Sequence, residues 1–313
     1  MNRRTIAKVL TRKHKEFVKS IKDEKVRELV DKNSVITGGA IASMLLGDKV
    51  NDYDYYFRDQ EITVAVAKYY VDEFNRLHPE KEIKPAVVVA DDRVRIMVKS
   101  AGVTSESSKE DEYAFFEQQT PEDADKYLSD VFGVVTEADE VPQDALDKKD
   151  SSKEKFKPVF LTSNAITLSD KVQLVIRFYG NPEDVHKNYD FIHCCNYWES
   201  SNKQLTLNKD ALESLLSKNL VYQGSLYPVS SVIRLRKFIN RGWYVNAGQI
   251  LKMLFQISEL DLKDINVLEE QLTGVDAAYF FEVVQWCKKK QEEDEAFQIT
   301  TPYLISIVDK IFG

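Results

Sequence analysis

Two short constellations in this chain have residue types and spacing that suit chemistry: the glycine pair Gly38-Gly39 and, after twelve intervening residues, Asp52 and Asp54 on either side of Tyr53. A strand over residues 52–57 places Asp52 and Asp54 on one face and Tyr53 and Tyr55 on the other. Carboxylates at i and i+2 of a strand have Cα atoms roughly 6–7 Å apart. That separation lets both ligate a pair of divalent ions spaced about 3.5–4 Å. Glycines ahead of a helix allow close backbone approach, and the amides at a helix start suit phosphate. The combination points to magnesium and a phosphorylated substrate. Taken singly, each half reads more simply as a surface strand with two solvated aspartates or as an ordinary tight turn, and it is their joining that reverses the balance.

The elements that must position these groups are legible around them. Residues 34–37 carry β-branched side chains and end at Gly38, which fits a short strand running into a turn. Residues 40–46 are good helix formers with Ile41, Met44 and Leu45 at helical spacing, and Gly47 is placed to stop the helix. The joined pattern resembles the signature of the DNA polymerase β-like nucleotidyltransferase superfamily: Gly-Gly, a spacer, then Asp-apolar-Asp-apolar. Its flavour, Gly-Gly-Ala-Ile-Ala-Ser-Met-Leu-Leu-Gly followed by Asp-Tyr-Asp, is most similar to the head of tRNA CCA-adding enzymes and bacterial poly(A) polymerases. One departure stands inside the helix, where that group carries Arg-Asp and this chain has Ala42-Ser43.

The resemblance implies transfer of a nucleoside monophosphate from a nucleoside triphosphate to a hydroxyl, with pyrophosphate leaving. It implies two Mg²⁺ ions, with Mn²⁺ as a substitute, on Asp52 and Asp54, and a third acidic residue on a neighbouring strand acting as base or metal ligand. Asp190 is the candidate, because the run 189–195 (YDFIHCC) reads as a strand of apolar and small residues opened by a lone charge. A turn-capping role after Asn188 is the competing reading for Asp190. Gly38, Gly39 and Ser43 are candidate nucleotide-binding residues. So are Arg234, Lys237 and Arg241, which line one side of an expected helix over 230–242 whose Ile233, Leu235, Phe238 and Ile239 turn inward. That helix also resembles the arginine-rich helix behind the head of the CCA-adding group.

At 313 residues the chain is long enough for two domains. It contains no apolar run of membrane-spanning length, and its first residues lack the apolar core of a signal peptide. Three cysteines make no disulfide framework, and a reducing, cytoplasmic setting follows as the expectation. The net charge of −8 is unevenly spread: residues 101–155 hold 16 acidic and 6 basic side chains, whereas residues 1–50 hold 12 basic and 6 acidic. The body is therefore not acidic, and its basic start suits either a polyanion or a solvated helical face.

Along the chain, residues 4–31 read as one or two amphipathic helices and 61–76 as another. A hairpin is expected over 86–99, with Arg93 and Arg95 on its outer face. Residues 101–155 read as an acidic insertion with one helix around 121–132. Two strands, PVFLTSNAITL and KVQLVIRF, should meet around Ser169-Asp170, and Pro182 should open a short helix. His193, Cys194 and Cys195 lack the spacing of a zinc site and read as packed, reduced residues. From Leu205 onward the period is helical, with segments at 209–217, 247–257, 264–272, 277–289 and 302–311, and with Trp286, Phe280 and Phe281 as core.

The expected architecture is an α/β (α+β) nucleotidyltransferase head with a small mixed sheet over 1–200, then an all-α domain over 201–313. An RNA 3′ end is the leading acceptor, with NTP as the other substrate and no membrane partner. A protein or small-molecule hydroxyl is the alternative acceptor. A non-catalytic nucleotide- or RNA-binding module is the alternative of a different class.

Overall fold

Strands β1 (Ser34–Thr37) and β2 (Tyr53–Phe57) pair antiparallel near the middle of an eight-stranded mixed sheet. The computed structural model describes residues 1–79, 84–90, 93–97, 103–104, 155–271, 287–291 and 297–312. A separate hairpin joins β3 (Ala86–Ala90) to β4 (Arg93–Met97). The large sheet takes in β5 (Val103–Thr104), β6 (Pro158–Leu161), β7 (Ala165–Leu168), β8 (Val172–Val175), β9 (Tyr197–Glu199) and β10 (Gln204–Thr206). Its order is β10-β9-β1-β2-β8-β7-β6-β5, and only β2 and β8 run parallel. This is the mixed α/β architecture expected from the sequence.

Alternation gives the sheet two different faces. Ile36, Tyr55, Phe57, Val172 and Leu174 point into the main core, where they meet α1 (Arg3–Ser20), α2 (Glu24–Asn33) and α4 (Gln60–Leu77). Each of these helices starts on a side-chain cap: Asn2, Asp23 and Asp59 accept amides of the first turn. Their apolar stripes bury Ile6, Leu10 and Phe17 of α1, Val26 and Val30 of α2, and Val66, Tyr70 and Phe74 of α4. Full burial of such side chains contributes about 1.5–3 kcal/mol each. The first two helices therefore brace the back of the sheet, leaving the opposite face of β2 for Asp54.

The helical part begins with α6 (Lys209–Ser217), capped by Asn208, and continues with α7 (Pro228–Asn240), α8 (Ala247–Ser258), α9 (Ile265–Gln271) and α10 (Thr301–Phe312). A second core of Phe191, Leu215, Leu220, Tyr222, Leu235, Trp243 and Met253 docks it on Ala42 of α3 (Gly39–Leu46). Of the residues expected inward on α7, Leu235 is buried but Ile239 is 49% exposed. Arg93 on the outer face of the hairpin meets Glu270 of α9 at 3.2 Å.

Several expectations are corrected. The run 158–168 is two strands, because Thr162 Oγ1 accepts the amides of Asn164 (3.3 Å) and Ala165 (3.0 Å) and closes a turn without glycine or proline. With β8 that makes three strands where two were expected. The strand expected over 189–195 is a bend followed by a 3₁₀ turn at Ile192–Cys194. Strands β9 and β10 were not anticipated, and β10 carries the sheet past the expected boundary at residue 200. The helix expected at 121–132, most of that at 277–289, and Phe280, Phe281 and Trp286 lie outside the described residues. Among the described residues no helix is long and apolar enough to cross a membrane.

The brace makes one measurable demand. Phe17→Ala removes a fully buried ring that contacts Tyr55, Tyr70 and Phe156, so chemical denaturation should show a loss of about 3–5 kcal/mol. A loss below 1 kcal/mol would mean that α1 is not seated on the sheet.

Candidate active site

Asp54 sits opposite Thr37 of β1 and opposite Gln173 of β8, on the face away from the main core. Asp52 precedes the strand by one residue and shares that face. The amide nitrogen of Gln173, in the orientation that satisfies its neighbours, lies 3.1 Å from Asp52 Oδ2 and 3.1 Å from Asp54 Oδ1. The two carboxylates are thus gathered around one neutral donor. Burial holds both above the usual carboxylate range, and Asp52's charge pushes Asp54 further up. The Arg241 and Lys171 charges act on Asp52 in the opposite direction.

Gly38 completes one wall. Its φ of +86° is one that L side chains rarely adopt, and a Cβ there would stand 2.7 Å from Asp54 Oδ2 and 3.4 Å from Tyr189 Oη. Gly39 has no such neighbour, so only the first glycine is sterically required. The Gly38 amide, expected to meet phosphate, donates instead to the Cys194 carbonyl at 3.2 Å. Helix α3 has no side-chain cap, which leaves the amides from Gly39 onward as the phosphate-facing candidates. Ser43 lies in the second half of α3, where its carbonyl accepts the amides of Gly47 and Asp48.

The structure does not place Asp190 on a strand beside the aspartate pair. Its carboxylate accepts the Phe191 amide at 3.1 Å and forms an ion pair with Arg234. The expected strand position of Asp190 is therefore corrected, and here its carboxylate is the partner of Arg234. The expected stripe on α7 is therefore divided: Arg234 pairs with Asp190, Lys237 follows half-buried one turn later, and Arg241 is the exposed C-cap of the helix.

The nearby His193 packs against Trp243 and Phe238, and burial lowers its pKa to about 4. Burial raises the Cys195 thiol to about 11, so both are neutral packing groups. His186 joins Thr37 Oγ1 at 2.8 Å and tethers α5 (Pro182–His186) to the end of β1. Sequence reasoning missed Gln173. The available signal was a polar residue inside the run KVQLV, but its opposition to Asp54 depends on a pairing far apart in sequence.

A family model described as Gabija anti-defense 2 family protein matches residues 8–218, about two thirds of the chain. The chain belongs to the Gabija anti-defense 2 family. Gabija anti-defense 2 of Bacillus phage SPbetaL7 is 20% identical over 143 residues, which make up 45% of this chain and 33% of that relative. Among solved structures, the Thermotoga maritima CCA-adding enzyme complexed with tRNA is 11% identical with a TM-score of 0.37, covering 92% of this chain and 56% of that one. A CCA-adding enzyme with CTP is 12% identical with a TM-score of 0.37, covering 96% and 61%. The chain thus spans a third of its phage relative and under two thirds of these enzymes. For this family member the matched segment contains Gly38, Asp52, Asp54, Gln173 and Asp190, whereas Arg234, Lys237 and Arg241 lie beyond it.

Two outcomes test this geometry. Gly38→Ala should distort the Asp54 wall and lower the melting temperature, while Gly39→Ala should be tolerated; calorimetry on the two variants distinguishes a steric requirement from a general preference for glycine. The raised Asp54 pKa sets a sign. Below about pH 4 the carboxyl is protonated folded and unfolded, and as pH rises toward its folded value the unfolded chain ionises first, so stability falls. In EDTA, Asp54→Asn should therefore be more stable than the parent at pH 7, with the advantage fading toward pH 4. Equal stability at pH 7 would remove the burial argument.

Proposed function

We propose that this protein is a metal-dependent nucleotidyltransferase that acts against Gabija defence by transferring a nucleoside monophosphate from an NTP to a hydroxyl of a Gabija component. The observation that carries the reading is the Asp52–Asp54 pair, held on one face of β2 beside Gly38 and the uncapped start of α3. Its donor set fits Mg²⁺: two carboxylates with oxygens to offer, destabilised by burial and by each other, and a neighbouring amide. Mg²⁺ on Asp52 and Asp54 would supply charge stabilisation for in-line displacement at the α-phosphate.

The chain's own groups have the following parts. Gly38 leaves the space that keeps Asp54 turned toward the substrate, and the α3 amides from Gly39 onward take triphosphate oxygens. Arg241 and Lys237 offset triphosphate charge, and Arg234 is oriented for the same work by Asp190. Ser43, in place of the acidic residue of the Arg-Asp pair, contributes a neutral hydroxyl on the same helix. Family membership and the Ala42-Ser43 departure favour a Gabija acceptor. The motif resemblance favours an RNA 3′ end, which is the second reading.

Incubation of the protein with each α-labelled NTP, Mg²⁺, the purified Gabija proteins and total RNA tests both. Label on a Gabija protein is the expected result, reduced about 100-fold or more by Asp52→Asn or Asp54→Asn. Label in RNA instead would establish the second reading. Transfer unaffected by either substitution would overturn the assignment of the site.

A further inference from the structure

We infer that Gln173 sets how this site takes its divalent cation: without a cation it clasps Asp52 and Asp54 through its amide nitrogen, and it turns its amide oxygen to a cation that is held jointly with the nucleotide phosphates rather than by protein alone. The inference rests on the reading of Asp52 and Asp54 given above and deepens it.

Position comes first. β8 is the parallel neighbour of β2, with Gln173 in register with Asp54. Val172 and Leu174 on either side are fully buried in the main core, so strand alternation commits Gln173 to the carboxylate face. A residue there reaches both aspartates, and Gln173 does so, with its nitrogen 3.1 Å from one oxygen of each. An NH₂ group has two hydrogens to donate, which matches one donor per carboxylate. The clasp holds two like charges together without adding a third.

Chemistry decides the consequence. On the strand paired with β2 beside Asp54, the chain has an amide and no third acid. Two carboxylates and an amide form a donor set of charge −2 at most, where a third acid would make it −3. Mg²⁺ dehydrates reluctantly and is commonly bound by one or two carboxylates together with substrate phosphates. A set of this charge therefore suits a cation that arrives with its nucleotide. Rotation of the amide about its last torsion exchanges nitrogen for oxygen at the same point, turning a donor to the carboxylates into a ligand beside them. Asp190, occupied by Arg234, leaves that position to Gln173.

Mn²⁺ binding followed by electron paramagnetic resonance, with and without a non-hydrolysable NTP analogue, tests the inference on folded protein. Wild type should bind Mn²⁺ weakly alone and roughly tenfold or more tightly with the analogue. Gln173→Glu should bind Mn²⁺ alone roughly tenfold more tightly than wild type, with less further gain from nucleotide. Gln173→Leu, with neither donor nor ligand, should lose the nucleotide-linked gain, and Gln173→Asn, which keeps the amide but not its reach, should lose most of it. Wild-type Mn²⁺ behaviour in Gln173→Glu and in whichever of the other two variants folds would overturn the role of Gln173. Unchanged Mn²⁺ binding in Asp52→Asn/Asp54→Asn would overturn the site itself, which separates the two failures.

Discussion

Two aspartates on the same face of a central strand repel each other, and the surroundings of β2 are organised around keeping them there. Burial raises both pKa values, and Asp52 adds to the effect on Asp54. Opposing contributions are small and local: the Gln173 amide between the carboxylates, Arg241 and Lys171 near Asp52, and the missing Cβ at Gly38. None of these removes the charge. The strand holds its place because its other face is anchored, with Tyr55 and Phe57 fully buried against α1 and α4. The back of the sheet supplies the hydrophobic stabilisation that the front of the same strand opposes.

The helical part is coupled to this face at the 3₁₀ turn that follows Phe191. Phe191 and the 3₁₀ turn after it pack on Leu235 of α7 and on Trp243, and the Cys194 carbonyl of that turn accepts the Gly38 amide. The same turn thus touches the glycine wall on one side and the arginine helix on the other. Asp190, one residue before Phe191, carries the ion pair to Arg234. Packing and charge here act together: the apolar contact sets the position of α7, and the ion pair sets the direction of its first arginine.

Legibility from sequence followed the range of the forces involved. The Gly38–Asp54 unit was readable because its strand, turn, helix and strand are all local, and the cap at Asn208 and the stop at Gly47 act within one turn of their helices. The turn at Thr162–Ala165 was not, since a threonine hydroxyl does there what glycine or proline usually signals. The run 189–195 was misread because a short apolar segment fits a strand and a buried turn equally well. Asn196 and Gln223 decide the case through contacts with distant parts of the chain, Asn196 through Thr37 and Gln223 through the Tyr189 carbonyl. Gln173 was invisible for the same reason, as its meaning lies in a pairing across more than a hundred residues.

The two halves of the site stand on different ground. The carboxylates, Gly38 and Gln173 lie inside the segment that places the chain in its family, and α7 lies outside it. They are linked by the packing of Phe191 on α7 and by the Asp190–Arg234 pair, each with one partner on either side of the match. On the proposed reading, a site divided in this way would keep the face of Asp52 and Asp54 while α7, the helix proposed to meet the triphosphate, changes. The proposed chemistry would then pass from one acceptor to another without rebuilding the sheet. Ala42-Ser43 fits that division: it puts two uncharged side chains where the resembled group carries two opposite charges, while Ala42 itself stays in the apolar contact between head and helices.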